Sequence, residues 1–219
     1  MSDLTLIIGN KNYSSWSLRP WVFLKQNGIE FNEIRVALFT ETTADQLSQY
    51  GSDAKVPILK DGELLIWDSL SILEFISENY LDSKGWPQDK SARAMARSIS
   101  CEMHSSFPNV RNTLPMNCRK QFQNIKLTTQ TEREIGRIKS LWRDCRTRYA
   151  TNGEWLFGQY SIADAMFAPI ALRFHGYDIP LEGIEKTYLQ SVLNQVVIQD
   201  WIEAGKKEKE VIAEDEIDL

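Results

Sequence analysis

A change of hydrophobic period near residue 81 constrains this fold more than any single motif. Before it, short apolar runs alternate with helical segments; from Lys90 onward apolar positions recur at helical spacing almost throughout. Leu4 to Ile8 reads as a buried strand ended by Gly9 and Asn10. Asn12-Tyr13-Ser14-Ser15 offers helix caps, and a helix over roughly 16–27 follows. Its Pro20 sits early, where a missing N–H costs least, and Gly28 supplies the stop. Ile29 to Val36 reads as a second strand, which completes a βαβ unit with parallel strands. A short helix is expected within 40–49. Val56-Pro57-Ile58-Leu59 opens a third strand, Asp61-Gly62 is a hairpin turn, and Leu64-Leu65-Ile66 returns. The next helix, capped by Asp68 or Ser69, carries Leu70, Ile72, Leu73, Ile76 and Tyr80 at helical spacing. A parallel unit joined to a hairpin predicts a mixed four-stranded sheet with helices on its faces.

These signals divide the chain into an α/β domain over 1–81, a polar linker over 82–89 and an all-helical domain over 90–219. Helices are expected over 90–107, 131–149 and 161–174, with one or two more between 189 and 206. Pro108 and Pro115 break or bend the stretch between the first two. The acidic segment from Val211 onward reads as loose.

With 219 residues the chain can bury a substantial core. Its net charge of −5 lacks the broad positive field that nucleic-acid backbones require. No apolar run approaches the roughly 18 residues of a membrane span, and no basic region precedes the first strand as in a signal peptide. Three widely spaced cysteines and two histidines argue against a disulfide framework or a metal centre, and the cytoplasm is the expected compartment.

Several positions suggest chemistry. Ser14, Ser15 and Trp16 lie where the first strand meets the first helix, where backbone N–H groups and hydroxyls stabilise anions. Helix capping alone also accounts for the serines. Val56 and Pro57 begin an edge strand; a cis bond there would turn the Val56 backbone toward a peptide-like ligand, and an ordinary strand start is the alternative. Asp68 and Ser69 offer carboxylate and hydroxyl beside exposed amides, again in competition with plain capping. His104 and Arg111 share a face if the helix survives Pro108, and Arg111 suits an anion anchor. Ser161 and Asp164 have capping-box spacing and read as structural.

Taken together, the runs NYSSWSLRPW, KVPIL, IWDSLSILEFI and WLFGQYSIADAMFAP resemble the soluble glutathione transferase family over nearly the whole chain. The resemblance implies a thioredoxin-like α/β domain followed by an all-α helical bundle. It implies glutathione as co-substrate, with no metal, and a small electrophilic molecule as second substrate. Val56, ahead of a cis Pro57, would pair with the cysteinyl part of glutathione. Asp68 and Ser69 would hold the γ-glutamyl end, and Lys55 would approach the glycyl carboxylate. The serine-using branches place a catalytic hydroxyl at Ser14, with Ser15 as competitor; other branches use a tyrosine, which brings in Tyr13. The run is also similar to the Ser-Ser-Cys-Ser of the maleylacetoacetate-isomerase branch, with Trp16 in place of the cysteine. Trp16, His104, Phe107 and Arg111 would wall the second-substrate pocket. The implied protein is a homodimeric transferase. A glutathione-dependent isomerase or peroxidase, or a non-catalytic glutathione binder of the same fold, are the alternatives.

Overall fold

The computed structural model describes residues 4–51, 55–150 and 152–217. Strands β1 (Leu4–Ile8), β2 (Asn32–Arg35), β3 (Ile58–Asp61) and β4 (Leu64–Trp67) form one sheet in the order β2-β1-β3-β4. β1 runs parallel to β2, with Ile7 opposite Ile34, and antiparallel to β3, with Leu6 opposite Leu59. β4 returns antiparallel to β3. The two-residue period of β1 serves both faces. Leu4, Leu6 and Ile8 join the main core beneath α1 (Ser15–Gln26) and α3 (Ser69–Tyr80). Ile7 turns the other way, into a small cluster with Val36, Leu47 and Ile58 under α2 (Thr43–Ser48).

The remaining helices are α4 (Lys90–Ser105), α5 (Pro108–Thr113), α6 (Thr129–Tyr149), α7 (Ile162–Gly176), α8 (Gly183–Leu193) and α9 (Val196–Lys207), followed by a single 3-10 turn at Ala213–Asp215. The expected architecture, a mixed-sheet domain followed by a helical bundle, is therefore present. α7 is its axis. Every residue of α7 except His175 is buried, and the helix packs on α1, α4 and α8. Its start is fixed by the predicted capping box. The Asp164 carboxylate accepts from Ser161 N at 2.9 Å, Leu156 N at 3.0 Å, the Ser161 hydroxyl and the Tyr188 hydroxyl. Burial pushes this carboxyl up to about 6, against the pull of those donors.

Some local expectations need correction. The second strand is four residues long rather than eight, because it is an exposed edge with little apolar surface to bury. Pro108 does not merely interrupt: it occupies the first turn of α5, where a proline lacks no needed donor. The segment after α9 is not loose where it is described. Glu208 accepts from Lys11 N at 2.8 Å and Asn12 N at 3.0 Å, and Glu216 accepts from the Tyr13 hydroxyl and Asn117 Nδ2. Asp218 and Leu219 lie outside the described residues. α9 also fits tightly against the same loop, since a Cβ at Gly205 would stand 3.1 Å from Asn12 N.

Asp164→Ala is expected to leave two buried backbone donors and two hydroxyls unpaired. A loss of about 3 kcal/mol follows from the desolvation cost of such groups. In a chain of this size that lowers the melting temperature by roughly 6–12 °C. A calorimetric melt unchanged from the parent would contradict this account of α7.

Candidate active site

The C-terminal end of β1, the N-termini of α1 and α3, and the start of β3 open onto one cavity of about 1020 Å³. Ser14, Ser15, Trp16, Lys55, Val56, Pro57, Asp68, Ser69 and His104 all line it. The Val56–Pro57 peptide bond is cis. Of the remaining expected pocket residues, Phe107 and Arg111 are not on its wall. α4 ends at Ser105, and Phe107 adopts a left-handed backbone that turns its ring into the core. Arg111 therefore does not continue the face of His104. Its guanidinium folds back to the Met103 and Ser106 carbonyls at the end of α4. It still reaches the site indirectly, by stacking on Trp16 at 4.8 Å.

Ser14 is the N-cap of α1 and Ser15 its first residue. Ser14 Oγ accepts from Ser17 N at 3.4 Å, and its hydroxyl donates to Ser17 Oγ at 2.8 Å. Ser17 Oγ in turn accepts from Gly9 N at the end of β1. Ser15 Oγ accepts from Arg173 Nη2 at 3.4 Å. Tyr13 also lines the cavity, but its hydroxyl is engaged: it donates to Glu216 and accepts from Arg119. Burial and the Glu216 contact raise its pKa.

At the other end of the cavity Asp68 caps α3 with a positive φ of 71°. Asp68 Oδ1 accepts from Leu70 N at 2.9 Å and Ser71 N at 3.2 Å, while Oδ2 meets His104 Nε2 at 2.6 Å. Ser69, 1% exposed, accepts from Arg19 Nη1 at 3.2 Å. Arg19 is itself buried. Its Nε donates to the Met166 carbonyl on α7, and its guanidinium stacks 4.3 Å from Trp16. Burial, then the charges of Arg111 and Arg173, hold the Arg19 pKa well below its ordinary value.

Several parts of the wall were not singled out from sequence, among them Leu38, Phe39 and Thr40 ahead of α2. Arg173 comes from α7, where it is the lone cation in a buried stretch; that anomaly was its available signal. Ile212 and Asp215 come from the segment after α9 and face the same space. Among the described residues no cysteine lines the cavity. No group of three or more His, Cys, Asp or Glu residues there is arranged to hold a metal.

Comparison with known proteins gives this geometry a context. Residues 13–79 match the family model of the glutathione S-transferase N-terminal domain. Glutathione S-transferase theta-2 of Rattus norvegicus is 38% identical over 76 residues, which span 34% of this chain and 31% of that protein. Glutathione S-transferase T1 of Arabidopsis thaliana is 26% identical over 206 residues, 85% of this chain and 77% of the relative. Among solved structures, a glutathione transferase homologue from Burkholderia with bound glutathione superposes with a TM-score of 0.70 at 20% identity. That alignment covers 94% of this chain and 99% of the other.

Glu216→Ala removes the acceptor of Tyr13 and Asn117 and the ion-pair partner of Lys120. Amide exchange across 208–217 should accelerate by at least about tenfold, while the strands keep their protection. Equal protection in mutant and parent would mean that this carboxylate does not fasten the segment.

Proposed function

We propose, from this chain's similarity to glutathione S-transferases, that it activates the thiol of glutathione with a serine hydroxyl and transfers the tripeptide to a small electrophile. The observation that carries this reading is the convergence of three pairs, Ser14–Ser15, Val56–Pro57 and Asp68–Ser69, on one cavity. Residues 1–81 supply the glutathione half of the site. The helical part over 90–219, joined by the linker 82–89, supplies the wall for the second substrate.

In this reading glutathione lies along the start of β3. Val56 pairs with the cysteinyl unit through its backbone, and Lys55 faces the glycyl carboxylate. Asp68 receives the γ-glutamyl ammonium; its carboxylate has lone pairs beyond those used by the α3 amides and His104. Ser69 and the open end of α3 receive the γ-glutamyl carboxylate, with Arg19 behind them. The sulfur then sits at the start of α1.

Ser14 donates its proton to Ser17 in the free protein, and Ser17 Oγ is also engaged by Gly9 N. Hydroxyl rotors can reverse such a pair. When a thiolate arrives, Ser17 turns its proton to Ser14 Oγ and Ser14 turns its own to the sulfur. A donor to the anion stabilises thiolate over thiol and lowers the thiol pKa. The thiolate attacks the electrophilic carbon, forms the carbon–sulfur bond and expels the leaving group.

Ser14→Ala should raise the pKa of bound glutathione and slow conjugation at neutral pH, with a much smaller change in glutathione affinity. Ultraviolet titration of the thiolate in Ser14→Ala, Ser15→Ala and Tyr13→Phe checks this. An upward shift in Ser15→Ala or Tyr13→Phe, with Ser14→Ala titrating like the parent, transfers the role to that neighbour. Ser69→Ala should weaken glutathione binding by about 1–2 kcal/mol, roughly five- to thirtyfold in Kd. Unchanged calorimetric affinity would count against the γ-glutamyl assignment. The protein is further expected to be a homodimer, and sedimentation at the mass of one chain at micromolar concentration would contradict that.

A further inference from the structure

Three guanidiniums, those of Arg19, Arg111 and Arg173, crowd around Trp16 and Ser15. Among the described residues their hydrogen bonds end on neutral carbonyls or hydroxyls. Burial depresses the pKa values of all three, that of Arg173 to about 10, and neighbouring guanidiniums add to this at Arg19 and Arg173. The site thus carries concentrated positive charge within a chain whose net charge is −5.

The three are not equivalent toward a ligand. Arg19 lies behind Ser69 at the γ-glutamyl end, and Arg111 lies behind Trp16, off the cavity wall. Arg173 lines the cavity at the serine end and is 6% exposed. Its Nε is held by the Leu114 carbonyl at 2.7 Å. Among the described residues its buried Nη1 has no partner, and its Nη2 has only the long contact to Ser15. A buried charged donor without an acceptor is costly, and a planar anion offers a guanidinium two parallel hydrogen bonds. The acidic group that Arg173 feels most strongly is Asp215, on the wall of the same cavity.

We propose that the electrophile taken by this site carries a carboxylate, which Arg173 binds beside Ser15 while the carbon to be attacked faces the sulfur. This rests on the glutathione reading, since that reading places the sulfur at the serine end and leaves Arg173 to the second substrate. Asp215 stands as a competing charge for the same guanidinium, and an anionic substrate displaces its influence.

The test uses 4-chloro-3-nitrobenzoate and its neutral counterpart 4-chloro-3-nitrobenzamide. In both, attack by the glutathione thiolate forms a carbon–sulfur bond, breaks the carbon–chlorine bond and releases chloride. Each kcat/KM is divided by the uncatalysed rate constant. The parent is expected to favour the carboxylate by about tenfold or more, the scale of one charge-assisted hydrogen bond. Arg173→Gln should lower kcat/KM for the carboxylate far more than for the amide, so that the preference is lost, and Arg173→Lys should restore part of it. A merely structural role would slow both substrates alike. Equal preference in the parent, or a preference that survives Arg173→Gln, overturns the proposal. Should Arg173→Gln fail to fold, Asp215→Asn decides: a carboxylate preference raised about threefold or more supports the site, and an unchanged or lower one overturns it. Calorimetry with benzoate alone separates the two readings. Benzoate bound through Arg173 by a parent that does not bind glutathione overturns the glutathione reading and keeps the anion site. A parent that binds glutathione and not millimolar benzoate overturns the anion site only.

Discussion

A guanidinium almost without solvent access holds the two halves of this molecule in register. Arg19 leaves α1 on the α/β side, donates to the Met166 carbonyl in the middle of α7, and donates to Ser69 at the head of α3. Its flat face covers Trp16. α1 also makes extensive contact with both α7 and α3. The seam between sheet domain and bundle is therefore a packed interior crossed by buried charge, that of Arg19 and, at the serine end, that of Arg173. Burying the Arg19 charge is unfavourable taken alone and is tolerable because its donors end on fixed oxygens. The same bonds fix Ser69 and Trp16, which are surfaces of the cavity. The side chain that joins the two halves thus also fixes part of the site.

α7 makes this possible. Its apolar faces are wrapped on all sides, so it can sit between α1, α4 and α8 as a rigid post. Asp164 anchors its start, and Arg173 projects from its last turns into the site. A cation near a helix C-terminus is favoured by the dipole, which offsets part of the cost of its burial. Site residues that rest on such a post hold their positions better than residues on loops.

The periodic parts of the fold were legible because they follow local rules. The βαβ unit, the Asp61-Gly62 hairpin, and the Ser161–Asp164 box are all written within a few residues of one another. The pairs at Val56 and Asp68 stand at ends of elements, where ligand-facing backbone is expected, and the cavity indeed gathers them. Other features depend on distant partners. Phe107 has helical spacing relative to Met103, yet two residues of non-helical backbone rotate it inward. Glu208 and Glu216 look like solvated tail residues, because backbone amides such as those of Lys11 and Asn12 leave no mark in a sequence. Arg173 was visible as a charge in an apolar helix, but its neighbours Leu114 and Ser15 lie 59 and 158 positions away.

The fastening of the segment after α9 to the first loop also sets an order of assembly. Tyr13 and Glu216 are 203 positions apart, and Asn12 waits on Glu208 across 196. A ribosome supplies the strands, α1 and α3 long before it supplies those carboxylates. During synthesis the sheet can close while Asn12 and Tyr13 still face water. The nascent protein thus passes through an interval in which the amides of Lys11 and Asn12 lack their carboxylate and water must take its place.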